Sequence, residues 1–386
     1  MSIVSAKRSA TARISLAEAL DLGPSVWDNF LARSAMCSPF MSWGWHRAWA
    51  EGSEAEDVES ARVVVVQSGV GELEALFPFR VYRTRVRRLP VTALGWAISD
   101  LGCPDHLELL ALPEADLDAM VAELDQVPWD VIQLDNVADA APNIERFCAA
   151  CVRRGWSVRR TPRWRCPYIE LPTSWEAYLA SLSPNKRQAV RRRERKLRRE
   201  RNVVLVDYGP APIEDGWRHL TRLHALRWEG GGVLRDQAWE RLHRWFASWL
   251  AERHQLWLTT LDVDGGPVAA CYGFSFGDTI YCYQTGWDPR WRHCGVSMVL
   301  HTVMIRRAIE RGYRRFDFLR GVEPYKQEWT SAARTCYEVV ILRPGWRATM
   351  LRGLDWIARQ QFVNRLREVA GTLRPVGKRH AEGDCV

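Results

Sequence analysis

The chain has 386 residues, 47% of them hydrophobic and 26% charged, with a formal net charge of +8. That length predicts two domains or more, each with an ordinary core. No apolar run reaches the ~18 residues of a membrane-spanning helix, and the basic N-terminus has no apolar stretch of the secretory kind, so a cytoplasmic location is expected.

Residues 1–12 are expected to be disordered. Trp43 to Trp49 has helical spacing, and Ala61–Gln67 (ARVVVVQ) reads as a strand. A turn at Ser68-Gly69-Val70-Gly71 leads to a second strand, Leu73–Arg80. Leu107–Leu112 and Val131–Leu134 read as further strands. Phe147–Arg154 is helical and Gly155 stops it. Cys148-Ala-Ala-Cys151 has metal or redox spacing. No second Cys or His pair stands near it in sequence, so helix-face thiols are expected there and no metal. The ten cysteines are expected to be buried thiols rather than disulfides.

Arg163–Pro167 is read as the boundary between halves. Tyr168–Leu171 then reads as a strand and Ser174–Leu179 as a helix. Ser183-Pro184 is a helix start, with Ser as cap and Pro at the first position. The helix it opens holds the whole charge excess: Lys186–Arg201 has ten basic and two acidic residues, a net of +8. Only Ala189, Val190 and Leu197 offer apolar attachment. The rest must face water or an anion, which predicts a polyanion or phosphate contact through Arg187, Arg191 and Arg195, on substrate, tRNA or anionic lipid. Trp217, Trp228, Trp239, Trp245 and Trp249 recur at helical spacing and are expected to pack the core. An aromatic acceptor cleft is the alternative.

Leu256–Asp262, Pro267–Phe276 and Thr279–Trp287 read as three antiparallel strands, the first two joined by the turn signal Asp264-Gly265-Gly266. The loop Arg292-His293-Cys294-Gly295-Val296-Ser297 then opens into a helix that runs to Gly312, and the strand Phe316–Leu319 follows. Such a loop suits a pyrophosphate: the first turn of a helix has free N–H groups and partial positive charge, Gly295 admits close approach, and Arg292 adds donors. The backbone does this work, so Cys294 is read as incidental.

This element order resembles the core of the GNAT acyltransferases, and Arg292-x-x-Gly295-x-Ser297 is similar to their coenzyme A loop. Ser297 departs at the last place, usually Gly or Ala, but is still small. Phe316-Asp317-Phe318-Leu319-Arg320-Gly321 with Glu323, Tyr325, Lys326 and Trp329 is similar to the signature of CelD-like acetyltransferases, relatives of the FemAB peptidoglycan-bridge transferases. Pro39–Trp45, Trp49 and Phe77–Arg80 extend the resemblance to about residues 35–345.

The resemblance implies an α/β (α+β) fold: tandem GNAT-like domains whose mixed, mostly antiparallel sheet is flanked by helices. Residues 13–165 would form a degenerate domain without a coenzyme A loop that walls the acceptor site. Residues 166–345 would be catalytic, 346–372 an amphipathic helix and 373–386 a disordered tail. The co-substrate implied is acetyl-CoA or another acyl-CoA, held by Gln284, Thr285, Gly286, Arg292, His293, Cys294, Gly295, Val296 and Ser297. The catalytic candidates are Asp317, Glu323, Tyr325 and Lys326. Asp317 alternates with two phenylalanines and is read as paired with an arginine or poised as a base. Tyr325 stands where such enzymes place a proton donor, and Lys326 where FemAB-like enzymes keep a lysine. The acceptor implied is an amine, in polysaccharide or cell-envelope precursor metabolism. Two rival readings stay open: an aminoacyl-tRNA-dependent transferase, and a non-enzymatic accessory protein at the inner membrane face.

Overall fold

The computed structural model describes residues 9–33, 38–86, 89–98, 101–209, 212–229, 233–345 and 349–350. Strands β1 (Ala10–Ser15), β2 (Arg62–Gln67), β3 (Leu73–Val86) and β4 (Leu89–Trp96) pair antiparallel in chain order. Helices α1 (Leu16–Asp21), α2 (Pro24–Arg33), α3 (Trp43–Gly52) and α4 (Ala55–Ser60) fill the connection from β1 to β2. Because β1 starts at Ala10, residues 10–12 are strand where disorder was expected.

The strand expected over Leu107–Leu112 shrinks to β5 (Leu110–Ala111) and a single bridge at Leu107. The buried Glu108 carboxylate is the reason. It accepts the N–H groups of Leu109 and Ile144, at 2.8 and 3.0 Å, and so diverts the Leu109 N–H from a ladder. Next come α5 (Leu117–Asp125), β6 (Val131–Val137), which runs parallel to β4, and α6 (Pro142–Arg153).

The 14-residue β7 (Ser157–Glu170) runs straight through the 165/166 position read as a boundary. After α7 (Trp175–Ser181) comes the basic helix α8 (Pro184–Glu200), capped by Ser183, whose hydroxyl accepts the Lys186 N–H. Then follow β8 (Val203–Asp207), α9 (Ile213–Arg227) and α10 (Gln237–Glu252). The expected hairpins appear as β9 (Leu256–Val263), β10 (Gly266–Phe276) and β11 (Thr279–Trp287). Asp264 and Gly265 both adopt positive φ in the turn, 52° and 86°. Helix α11 (Val296–Glu310), β12 (Arg315–Asp317), α12 (Pro324–Gln327) and β13 (Ala333–Leu342) complete the order.

The strands form one 13-stranded sheet in the order β1-β2-β3-β4-β6-β13-β7-β12-β11-β10-β9-β8, with β5 beside β3. The last strand, β13, returns to lie between β6 of the first half and β7. β7 pairs with β13 over its first part and with β12 over Tyr168–Glu170. The two halves therefore share one hydrogen-bonded surface.

One apolar core joins the first half to α9 and α10, and a second lies under α8 and α11. Most of the tryptophans at helical spacing pack as expected: Trp217, Trp239 and Trp249 are buried, and Trp245 lies tilted against Trp43 at 5.9 Å. Trp45 of α3 meets Phe246 of α10 edge-on at 4.9 Å and Tyr283 of β11 at 6.2 Å, so aromatic contact crosses between the halves. Among the described residues no helix is long and apolar enough to cross a membrane. The helix expected over 346–372 and the tail 373–386 lie outside the described residues, apart from 349–350.

Trp45→Ala removes a fully buried ring from that junction. Its unfolding free energy in urea is expected to fall by about 3–5 kcal/mol. The same loss should appear in tryptophan fluorescence and in circular dichroism, since both halves share the cluster.

Candidate active site

β11 and β12 run parallel and pair only from Thr279 to Tyr281. Beyond Tyr281 the strands splay. β11 stays bonded to β10 on one edge, and its other edge leaves the β12 ladder. The gap opens into a cleft of about 330 Å³, lined on one side by Tyr283, Gln284 and Thr285 and on the other by Leu319, Arg320, Glu323, Tyr325 and Lys326. A splayed strand presents backbone N–H groups that no neighbour uses, which is what a carbonyl or an amide-bearing chain needs. Side chains alternate along β11. Tyr281 and Tyr283 join the core shared with the first half, while Ile280 and Cys282 join the core under α11.

The wall opposite β11 is an over-determined turn. Leu319 has φ 58°, an unusual conformation for a branched residue. Its N–H donates to Asp317 Oδ1 at 2.7 Å. The Arg320 N–H donates to Asp105 Oδ2 at 2.9 Å, and Arg320 Nε to Asp105 Oδ1 at 2.8 Å. Lys326 Nζ donates to the Arg320 carbonyl at 2.6 Å. Asp105 is 1% exposed and comes from the first half, so that half helps to wall the cleft.

The expected site residues divide by place. Gln284, Thr285, Glu323, Tyr325 and Lys326 meet in the cleft. Lys326 is buried and its Nζ sits 3.0 Å from Glu323, whose side chain is 41% exposed. Burial pushes the Tyr325 hydroxyl well above its usual range, and the charge of Cys282 adds to this, so the phenol keeps its proton. Asp317 is placed elsewhere. It is fully buried, and its Oδ2 lies 3.2 Å from His106 Nε2, so its partner is a histidine rather than an arginine. Gly286 serves packing, because a Cβ there would strike the His224 backbone nitrogen of α9.

The loop Arg292–Ser297 stands at the N-terminus of α11, outside the cleft lining. Pro289–Cys294 is a 3-10 helix, and Gly295 turns the chain at φ 67° before Val296 starts α11. Arg292 and His293 are exposed. One turn into α11, His301 Nδ1 is 2.8 Å from the Ser297 carbonyl and its ring lies 5.4 Å from the Tyr325 ring. His301 thus stands between the loop and Tyr325, its backbone about one helical turn, roughly 5.4 Å, beyond Ser297.

Helix α8 docks on α11 through one face. Lys186 reaches Glu328 at 2.6 Å, Val190 and Leu197 are buried, and Glu194 takes Arg306 in a two-pronged pair at 3.0 and 2.6 Å. Arg193, on this face, has its guanidinium against Gly295, where a Cβ would meet it. Arg187, Arg191 and Arg195 belong instead to a row with Arg192, Lys196 and Arg199 along a groove of the helix itself.

Sequence reasoning did not find several cleft residues. His224 and Arg227 come from the end of α9, and Cys103 and Asp105 from the first half, while Trp228, expected either in the core or in an aromatic cleft, is in the cleft. Arg227 lies 5.4 Å from the Tyr325 ring and donates to the Thr285 carbonyl at 3.1 Å. Burial, then the charge of Arg227, pushes His224 down to about 4, so it stays neutral. The one signal on offer was Cys103-Pro104-Asp105-His106, a polar break in an apolar stretch.

Residues 184–327 match the family model described as "Acetyltransferase (GNAT) domain". That span runs from α8 to α12 and contains the splayed strands and the loop before α11, so the chain carries an acyltransferase domain of this type. Among proteins of curated function none matches by sequence. Three solved structures share the overall fold. The structure of FemX is 12% identical over 86% of this chain and 97% of that chain, with a TM-score of 0.56. The C-terminal domain of a putative lysylphosphatidylglycerol synthetase from Agrobacterium fabrum is 10% identical over 88% of this chain and 95% of that chain, with a TM-score of 0.51. A conserved protein of unknown function from Bacteroides thetaiotaomicron is 13% identical over 87% of this chain and 100% of that chain, with a TM-score of 0.50. These likenesses extend to the fold alone.

Asp105→Ala leaves Arg320 without its buried partner and should cost about 3 kcal/mol in urea unfolding. Asp118→Ala breaks an ion pair whose partners are 58% and 59% exposed and should cost under about 1 kcal/mol. Equal losses would remove the special standing given to the Asp105 clamp.

Proposed function

We propose that the chain transfers an acyl group from an acyl-CoA thioester to an amine. The observation that carries this reading is the splay of β11 from β12 over a cleft holding Glu323, Tyr325 and Lys326, with His301 of α11 between Tyr325 and a glycine loop. The N–H groups of α11's first turn and Arg292 would hold the pyrophosphate, with Arg193 of α8 as a further cation over Gly295. The free edge of β11 at Gln284 and Thr285 would bind the pantetheine arm and polarise the thioester carbonyl.

Glu323, half-exposed at the cleft and steadied by Lys326, is the base that would take a proton from the incoming ammonium. The neutral amine then attacks the carbonyl carbon. The C–S bond breaks, Tyr325, which enters the step protonated, gives its proton to the leaving thiolate, and the second proton of the attacking nitrogen restores the phenol. His224, held neutral by its low pKa, is a weak base near pH 7. Trp228, 47% exposed on the rim beside Arg227, offers an aromatic face to the acceptor, which suits a sugar-like amine in envelope or polysaccharide precursor metabolism.

A second reading, aminoacyl-tRNA-dependent transfer, is favoured by the outward row of Arg187, Arg191 and Arg195. Titration calorimetry with acetyl-CoA and longer acyl-CoAs separates the two. Wild type should bind, and Gly295→Glu should bind at least about tenfold more weakly, 1.4 kcal/mol or more, with its melting curve recorded alongside. Tyr325→Phe should keep the affinity and lose about 100-fold in kcat, read by thiol release. No heat with any acyl-CoA, together with RNA carried through purification, would move the assignment to tRNA.

A further inference from the structure

Behind the clamped turn, on the side away from the cleft, three metal-binding side chains converge from distant parts of the chain. Cys166 on β7 and Cys336 on β13 are diagonal neighbours across the ladder, Cys166 pairing with Arg334 and Cys336 with Trp164. Their Sγ atoms are 3.7 Å apart. His106 brings Nδ1 to 3.7 Å from Cys336 Sγ. The ligand atoms of all three lie within 4.8 Å of one another. Cys166 and Cys336 are fully buried and His106 is 2% exposed. The far nitrogen of His106 faces Asp317 Oδ2 at 3.2 Å.

We propose that His106, Cys166 and Cys336 form a zinc-binding site, with Asp317 as the carboxylate that orients the histidine. The chain's established features require no such ion, and the reading is independent of the acyl donor.

The distances fit the ion. Thiolates bound at about 2.3 Å and an imidazole at about 2.05 Å on a tetrahedral centre leave sulfur–sulfur and sulfur–nitrogen edges of roughly 3.8 and 3.6 Å. Two of the three edges are 3.7 Å, and the third, from Cys166 to His106, lies within 4.8 Å. Two thiols in simple contact also stand this far apart, as Cys271 and Cys282 do at 3.6 Å. That pair also has a histidine, His301, bonded to Cys282, but among the described residues its ligand atoms do not converge within 4.8 Å as those of the first group do. What sets the first group apart is this convergence together with the carboxylate behind its histidine.

The donor set is the borderline-soft one that selects zinc over magnesium or calcium. The ion would offset both thiolates, leaving the Asp317 carboxylate to be held by the histidine and by the Leu319 N–H. The carboxylate behind the histidine is the usual outer partner of a metal-bound imidazole, fixing its tautomer. His106 reaches its position at φ 55°, a strained conformation for a non-glycine residue. It also lines a second cleft of about 450 Å³ with Tyr168, Asp278 and Arg334, the side from which an ion would enter.

The ligands are 170 and 230 residues apart, so no local Cys/His spacing announces them. The ion would tie the first half, β7 and β13 together at one point, and through Asp317 it would steady the Leu319 turn.

The test uses the full chain purified under reducing conditions. Elemental analysis after zinc loading and desalting should find about one zinc per chain. Replacement by Co²⁺ should give the visible bands of a tetrahedral site and near-ultraviolet thiolate-to-cobalt absorption. Zinc should shield two thiols from alkylation in the wild type, mapped by mass spectrometry to Cys166 and Cys336, and a chelator should release them. Cys166→Ser and Cys336→Ser should each drop zinc to background while keeping the circular dichroism of the wild type, and Cys148→Ser should keep full loading. Asp317→Asn should weaken zinc binding about 10–100-fold in competition with a chromophoric chelator. A wild-type chain that takes up neither ion after reduction overturns the proposal. So does zinc content that survives both serine variants, or a Cys166–Cys336 disulfide in place of the metal.

Discussion

The site depends on one ladder, the pairing of β7 with β13. β13 spans β6 on one side and β7 on the other, and β7 continues past it to hold β12. That continuity fixes the loop at Asp105 against the turn at Arg320, residues 215 positions apart. The turn is costly by itself, since Leu319 sits at positive φ, and it survives because bonds from Asp105, Asp317 and Lys326 leave it no alternative. A cleft wall built this way is as rigid as the sheet behind it.

Electrostatics adds a second constraint. Helix α8 concentrates the chain's whole charge excess, yet it is not simply a solvated rod. Its inner face uses Glu194 and Lys186 for specific pairs with Arg306 and Glu328, and its two buried aliphatic residues complete the seam. Burial pushes Glu194 up, but the Arg306 hydrogen bonds and charge win and keep it ionised. The same face sets Arg193 against the positive end of α11, an arrangement that favours an anion between them.

Local patterns were legible. Alternation and the Asp264-Gly265 turn located β9, β10 and β11, and Ser183-Pro184 located α8. The cleft residues Gln284, Thr285, Glu323, Tyr325 and Lys326 came from a motif carried on adjacent elements. What escaped was non-local. Arg163–Pro167 reads as a boundary, but it lies within a strand whose partner arrives only at residue 333. Asp317 looked fit for an arginine because three arginines stand near it in sequence. Its actual neighbour, His106, is set by the sheet order and by nothing in the local sequence. Glu108 ended a strand that hydropathy alone would continue, by taking the Leu109 N–H for its own carboxylate.

The sheet order also bears on how the protein is made. A ribosome delivers the first half early, with β6 finished long before its neighbour β13 exists. Until Ala333–Leu342 emerges, one edge of β6 and most of β7 expose unpaired backbone and apolar side chains, the kind of template on which sheets aggregate. The early half therefore cannot close as an independent unit during synthesis. Nascent chains would need to be kept apart until the last strand threads into the middle of the sheet, a sequence of events that makes folding slow, late and sensitive to truncation near the C-terminal end.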